Sequence, residues 1–147
     1  MRDKLLLAID QFEAGQAAVD FTIGLAAKSG ASVTIFHVRE LNRSLRVPPI
    51  ETAAEAQLLV DHAVERMQVA GIATEGQVCS ARGEDVARRI VDEAGRQECH
   101  AIVLGSLRLR GLHRVSGHGI RDRVLQHSPL PVIVTPTTLH RGMRAVV

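Results

Sequence analysis

Aromatic residues are nearly absent from this sequence of 147 residues. They make up 2% of it, with three Phe and neither Tyr nor Trp. Proteins that bind single-stranded nucleic acids commonly stack bases on aromatic rings, so the composition argues against that function. Hydrophobic residues nevertheless make up 46% and charged residues 23% of the chain, which is typical of a globular protein. We therefore expect a single domain with an aliphatic core.

Cysteines and long apolar runs are also scarce. The two cysteines, Cys79 and Cys99, lack the C-x-x-C spacing of redox and metal sites, and this usage favours a reducing compartment. The apolar run over residues 5–9 is too short for the core of a signal peptide. Nowhere do roughly 18 apolar residues follow one another, as they would in a membrane span. The sequence thus predicts a soluble, cytoplasmic protein.

The net charge is small but locally concentrated. It is +2 with His neutral, yet residues 107–123 hold five Arg and one Asp, a local charge of +4 that leaves −2 for the remainder. A nucleic-acid-binding protein usually spreads basic residues over a whole face. One short basic loop instead suits a few phosphate groups or ordinary solvation. Neither a nucleic acid nor a membrane is therefore an expected partner.

Apolar periodicity predicts five strands that alternate with four helices. Continuous or β-branched apolar runs indicate strands, and apolar residues at helical spacing indicate helices. The predicted strands cover residues 4–10, 32–38, 74–79, 101–105 and 132–135, and the predicted helices cover about 14–29, 56–70, 84–94 and 119–127. Residues 39–50, with two Pro, are interpreted as a surface connection. The alternation is typical of an α/β fold with an open, mostly parallel sheet between two layers of helices.

Ligands of open parallel sheets bind at the carboxyl ends of the strands, where the strand order reverses. Asp10 follows the first predicted strand and could accept a hydrogen bond from a ligand or hold a hydrated magnesium ion; equally, it could cap the next helix. Four Gly lie within residues 105–119, and this glycine segment leads into a helix N-terminus at Gly119, where N–H groups favour an anion. The segment matches neither the Walker loop nor the dinucleotide motif, so a solvated loop is the competing interpretation.

Four stretches of the chain carry a resemblance to a known family. They are KLLLAIDQFE, SVTIFHVRE, AIVLGS and DRVLQHSPLPVIVTP, and in this order and spacing they resemble the universal stress protein family over residues 2–136. The resemblance implies a five-stranded sheet in the order 3-2-1-4-5, a homodimer and, in one branch of the family, ATP between the first and fourth strands. Under this topology Cys79 and Cys99 would lie at opposite ends of their strands, which argues against a disulfide bond.

The ATP-binding branch of the family carries the motif G-x2-G-x9-G-[ST] after the fourth strand. Here the first position is Gly105, but Arg108, His118 and Gly119 stand at the other three. An Arg at the second position either clashes with phosphates or replaces a backbone donor with a side-chain cation. Another branch lacks the motif and does not bind ATP. Binding of ATP, with magnesium, and a nucleotide-free dimeric interaction module are therefore both expectations that the resemblance allows.

The resemblance implies that adenine lies between aliphatic side chains rather than on a ring. The base would meet main-chain groups of Val38, with Ala8, Ile9 and Asp10 on its other side, and Asp10 would reach magnesium only through the nucleotide. The residues assigned to the nucleotide are Ala8, Ile9, Asp10, Val38, Leu104, Gly105, Ser106, Arg108, His118, Gly119, Ile120 and Arg121.

Neither an enzyme active site nor a resident metal is expected. The seven His include no pair at ligand spacing, and Ser106 has no base and acid placed to activate it, so slow incidental ATP hydrolysis is the most activity we expect. The expected dimer interface is the last strand, whose edge would otherwise expose unpaired backbone groups. Residues 137–147 would form a tail after a domain of residues 1–136, and other protein partners are unidentified.

Overall fold

The structure is a computed structural model that describes residues 3–10, 14–41, 51–105 and 119–135. Five strands form one sheet, and four helices flank it. The strands are β1 (Lys4–Ala8), β2 (Ser32–Leu41), β3 (Thr74–Arg82), β4 (Ala101–Leu104) and β5 (Val132–Val134), and the helices are α1 (Ala14–Ser29), α2 (Ala53–Val69), α3 (Val86–Arg96) and α4 (Ile120–His127).

β1 lies at the centre of the sheet, whose strand order is β3-β2-β1-β4-β5. Every neighbouring pair of strands runs parallel. Ala8, at the end of β1, lies between Phe36 of β2 and Leu104 of β4. The predicted strand order is therefore confirmed, and the sheet is parallel throughout rather than mostly parallel.

Alternate residues of β1 pack against opposite layers of helices. Leu5 and Leu7 join a buried cluster with α1 and α2, whereas Leu6 and Ala8 join a second cluster with α3 and α4. Successive side chains of a strand point to opposite faces, so a strand that is covered on both sides is apolar throughout. The three-layer arrangement expected from the sequence is confirmed.

Two helices begin at residues that differ from the predicted ones. α2 begins earlier, at Ala53, because Thr52 Oγ1 accepts the N–H of Glu55 at 3.0 Å and the Glu55 carboxylate accepts the N–H of Thr52 at 2.8 Å. These reciprocal bonds satisfy two N–H groups that a helix start would otherwise leave unpaired. α3 begins later than predicted, since a 3₁₀ turn over Gly83–Asp85 precedes it. Neither the reciprocal hydrogen bonds at the start of α2 nor the 3₁₀ turn before α3 can be predicted from apolar periodicity.

β2 and β3 extend beyond their predicted ends, which corrects the interpretation of residues 39–50 as a surface connection. Arg39, Glu40 and Leu41 continue the pairing of β2 with residues 80–82 of β3. The hydrogen bonds between strands join backbone N–H and C=O groups, which every residue except Pro has. Strand pairing can therefore continue where the side chains become polar. The connection to α2 therefore starts after Leu41.

Cys79 and Cys99 are both free thiols. Cys79 is in register with Val38 in the carboxyl half of β3, whereas Cys99 precedes β4 at the opposite end of the sheet. This separation is too large for a disulfide bond, as the sequence led us to expect. Burial raises the pKa of both thiols, which keeps them protonated and poorly nucleophilic at neutral pH.

A buried carboxylate ties α3 to the amino end of the sheet. Glu93 is 6% exposed and accepts hydrogen bonds from Arg96 at 2.5 Å and from Gln97 at 2.7 Å. The Gln97 side chain in turn accepts a hydrogen bond from Lys4 Nζ at 2.9 Å. Burial alone would raise the pKa of Glu93, but the hydrogen bonds from Arg96 and Gln97 and the charges of Arg96 and Arg89 hold it below its ordinary value.

We expect Glu93→Gln to lower the free energy of unfolding at neutral pH by about 1–3 kcal/mol, because hydrogen bonds to a charged acceptor are lost. The lowered pKa means that the ionised carboxylate stabilises the fold above the unfolded-state pKa, and that this effect is lost as the pH falls through the folded-state pKa. The stability difference between the two proteins should therefore shrink in acid. Urea unfolding at a series of pH values measures it.

Asp92→Asn is the matched control for this experiment. Asp92 precedes Glu93 in α3 and is exposed, so its replacement removes the same charge without breaking a buried contact. A stability difference between wild type and Glu93→Gln that stayed constant from neutral to acidic pH would contradict the role assigned to the Glu93 carboxylate.

Candidate functional site

The strand order reverses at the carboxyl end of β1. From β1 the chain continues to β2 on one side, and it reaches β4 on the other side only after β3. Loops diverge at such a point and leave a crevice in which ligands of open α/β sheets bind. Ala8, Ile9 and Asp10 reach this crevice from β1, and Leu104 and Gly105 reach it from β4.

Aliphatic side chains line one side of the crevice. Ala8, Val38 and Leu104 are buried in the same cluster, and Ile120 from α4 packs against it. Ile9 belongs to the opposite cluster, which β1 forms with α1 and α2. Because successive side chains alternate between faces, Ile9 can contribute only its main chain to the aliphatic side.

The main chain of Val38 points toward the crevice. Ile9 donates a backbone hydrogen bond to the carbonyl of Phe36 at 3.0 Å, so the even-numbered residues of β2 direct their main-chain groups toward β1. Val33 donates to the carbonyl of Ala73 at 3.0 Å, and the odd-numbered residues therefore face β3. Main-chain groups alternate sides along a strand, so Val38 presents its N–H and C=O just beyond the end of β1.

His37 is the polar side chain buried next to this edge. It is 3% exposed, and its Nδ1 lies 2.8 Å from the carbonyl oxygen of Ile9. Its Nε2 lies 3.0 and 2.9 Å from the two carboxylate oxygens of Glu51. A carbonyl oxygen only accepts, so Nδ1 carries the proton in this contact. The carboxylate also accepts, so both contacts are filled when the ring carries two N–H groups.

Glu51 is held to β2 at two points. Its carboxylate faces His37, and its backbone carbonyl accepts a hydrogen bond from Arg39 Nε at 3.0 Å. The residue lies two positions before α2, so the chain returns to the sheet there after residues 42–50. The two contacts fix that return beside the end of β2.

The amino end of α4 contributes backbone donors. Gly119 is the N-cap residue, with extended backbone (φ −66°, ψ 170°) and no side-chain cap. N–H groups at a helix start that lack a side-chain acceptor attract anions. Arg121 Nε lies 3.6 Å from the Asp122 carboxylate, so these two charges offset each other and the backbone donors remain the main attraction.

The model of the universal stress protein family matches residues 1–136 of the chain. The chain belongs to the universal stress protein family. No curated protein sequence matches it significantly.

Solved structures of universal stress proteins share the fold of this one. A protein of the family from Burkholderia pseudomallei is 26% identical, with a TM-score of 0.74 over 92% of this chain and 96% of that chain. The universal stress protein from Archaeoglobus fulgidus in complex with dAMP is 23% identical, with a TM-score of 0.67 over 91% and 98% of the two chains. A universal stress protein in complex with cAMP is 17% identical, with a TM-score of 0.73 over 93% and 98%.

Some of the site residues predicted for this universal stress protein are not described. Ser106 lies outside the described residues, as do Arg108 and His118, which stand at two changed positions of the glycine motif, and the expected tail. Within residues 3–10, 14–41, 51–105 and 119–135, no group of three His, Cys, Asp or Glu could hold a metal ion. No helix in this part of the chain is long and apolar enough to cross a membrane.

Sequence reasoning missed the contacts of His37 and Glu51. His37 was considered as a metal ligand or catalytic group and as part of the family match, although a polar residue in an otherwise apolar strand also signals a buried hydrogen bond. Buried polar side chains nearly always have hydrogen-bond partners, so a partner was to be expected for each ring nitrogen of His37. Glu51 lies in a segment without periodicity, and nothing in its neighbours pointed to β2.

A pocket lies between α1 and α2, on the opposite face of the sheet from the aliphatic side of the crevice. It encloses about 280 Å³ including its open mouth, and Ile9, Asp10 and Arg66 are among the residues that line it. The Arg66 guanidinium donates hydrogen bonds to Gln16 at 2.8 Å and to Asp20. Because the Arg66 guanidinium of α2 is already paired with side chains of α1, this pocket is poorly suited to bind a phosphate group.

Proposed function

We propose that this universal stress protein binds an adenine nucleotide in the crevice between β1 and β4. The observation that carries the proposal is the main-chain edge of Val38, which faces the crevice beside the aliphatic cluster of Ala8, Val38 and Leu104. The dAMP and cAMP complexes of proteins with the same fold support it.

The edge of Val38 is complementary to adenine rather than guanine. Adenine presents an amino donor next to a ring nitrogen acceptor, which a carbonyl and an N–H of one residue can pair. Guanine presents an acceptor and a donor at the same two places, so both contacts would become repulsive. A buried polar group that is left unpaired costs free energy, which makes such a site selective.

We propose that the phosphate end of the nucleotide faces the N-terminus of α4. Gly119 leaves this helix start without a side-chain cap, and its first N–H groups suit one phosphate. The second glycine position of the ATP motif is Arg108 and the third is His118, so the backbone donors at these positions would approach a triphosphate less closely than those of glycine. We therefore propose that nucleoside monophosphates bind at least as well as ATP with magnesium. Asp10 would contact that magnesium only through the nucleotide.

We expect calorimetry to show binding of AMP and, at least about tenfold more weakly, of GMP. Gly119→Asp should weaken AMP binding by about tenfold or more, because a carboxylate would occupy the anion position, while it should leave adenosine binding unchanged. The fold tolerates this variant, since Asp is a favoured N-cap residue and the φ of Gly119 is negative.

Gly119→Asn is the matched control, because Asn caps helices equally well without a charge. It should bind AMP nearly as wild type does. Equal loss in both variants would contradict the anion role of the α4 start. No nucleotide in the supernatant of freshly denatured protein, together with no heat from AMP or from ATP with magnesium, would refute nucleotide binding.

A nucleotide-free interaction module is the second candidate function. Arg108 and His118 at glycine positions favour it, because the family contains members that lack the motif and do not bind ATP. The basic segment would then contact protein partners. In both cases we propose a binding or regulatory module in the stress response rather than an enzyme, with slow ATP hydrolysis as the most activity expected.

We also propose that the protein forms a homodimer through β5. This strand is an edge of the sheet, and Val134 is 37% exposed on it. An apolar edge strand offers backbone groups and side chains to a second copy. Val134→Lys should turn the dimer into a monomer, because a lysine on an edge strand blocks further pairing.

Sedimentation velocity measures this change. Leu58→Lys is the control, since Leu58 is an exposed apolar residue of α2 and lies away from β5. A wild-type protein that sediments as a monomer at every concentration would refute the proposed dimer. A dimer that Leu58→Lys disrupts and Val134→Lys does not would place the interface elsewhere.

A further inference from the structure

We propose that His37 is a positioning residue for the nucleobase. Its ring donates a hydrogen bond to the Ile9 carbonyl, and the main-chain N–H of Val38 thereby stays available to a ligand. The inference rests on the proposed nucleotide binding and adds to it the residue that makes the edge available. His37 itself points away from the aliphatic side of the crevice, so it acts through Ile9 and Val38 rather than by touching the base.

A regular ladder between β1 and β2 would form one more backbone hydrogen bond beyond Ile9. In a parallel pair, a residue that donates to one residue of its neighbour accepts from the residue two positions further on. Ile9 donates to the carbonyl of Phe36, so its own carbonyl would accept the N–H of Val38. Among the backbone hydrogen bonds of the described residues, that bond is not formed.

The ring of His37 takes the place of the Val38 N–H at the Ile9 carbonyl. His37 Nδ1 lies 2.8 Å from the Ile9 carbonyl oxygen, which is a normal length for a hydrogen bond from nitrogen to oxygen. The ladder between β1 and β2 therefore ends one bond early. Ile9 keeps a partner for its carbonyl, while the N–H of Val38 remains directed at the crevice.

Glu51 and Arg39 hold the ring of His37 in place. The Glu51 carboxylate lies against Nε2 at 2.9 Å, and Arg39 holds the Glu51 carbonyl at 3.0 Å. The ring is 3% exposed, and a side chain fixed from both ends keeps its donor in one direction. Glu51 is thus a positioning residue for His37, as His37 is for Val38.

Three substitutions separate the two contacts of the ring. The amide nitrogen of Asn stands near the place of Nδ1 and that of Gln near the place of Nε2, so His37→Asn keeps a donor for Ile9 and His37→Gln keeps one for Glu51. His37→Leu removes both. If His37 served only to stabilise the fold, the variants would be less stable but would keep the preference for adenine over guanine.

Amide hydrogen exchange measured by NMR tests the inference without any nucleotide. In wild type and in His37→Asn, the Val38 amide should exchange quickly. In His37→Gln and His37→Leu it should be protected at least about tenfold more, because the N–H of Val38 then pairs with the Ile9 carbonyl. Equal Val38 exchange in all four proteins would overturn the inference. If His37→Leu does not fold, comparing Val38 amide exchange in His37→Asn and His37→Gln still tests the inference.

Binding of AMP and GMP completes the test. His37→Gln should lose about tenfold in AMP affinity and most of its preference over GMP, whereas His37→Asn should stay within about threefold of wild type. An unchanged AMP-to-GMP ratio in His37→Gln would also overturn the inference. If wild type bound neither nucleotide, the proposed function would fail, and Val38 exchange alone would still decide whether His37 keeps the edge open.

Discussion

The hydrogen bond between His37 and the Ile9 carbonyl lies where the pairing of β1 with β2 ends. A parallel ladder continues as long as the next N–H and C=O remain in register. At Ile9 the register still holds, but the carbonyl faces a ring nitrogen. A contact between a side chain and the main chain, rather than a loss of register, therefore ends the backbone ladder between β1 and β2.

The position of the crevice depends on the burial of β1. This strand pairs with β2 and β4 and is covered by helices on both faces. The residues from Leu5 in β1 to Ile9 just after it are consequently apolar, and the next residue, Asp10, is polar. The change from apolar to polar residues along the sequence thus marks the place where the strand order reverses.

The strands and the helices could be predicted because they depend on periodicity, which is local in the sequence. The family resemblance supplied the strand order and the assignment of Ala8 and Leu104 to the crevice. The contact of His37 with Glu51 could not be predicted, because it spans 14 positions through a segment without a pattern. The strand conformation of Arg39 and Glu40 was missed for another reason, since backbone pairing does not require apolar side chains.

Recognition of the base and recognition of the phosphates involve different parts of this chain. The proposed base contacts belong to the packed sheet, where Val38 and Ala8 are buried, and a change there would create a cavity or a clash in the core. The phosphate contacts that the family resemblance implies belong instead to the glycine segment, where Arg108 and His118 stand at two of the glycine positions. It follows from our proposal that departures from the glycine motif alter the number of phosphates accepted while the preference for adenine persists.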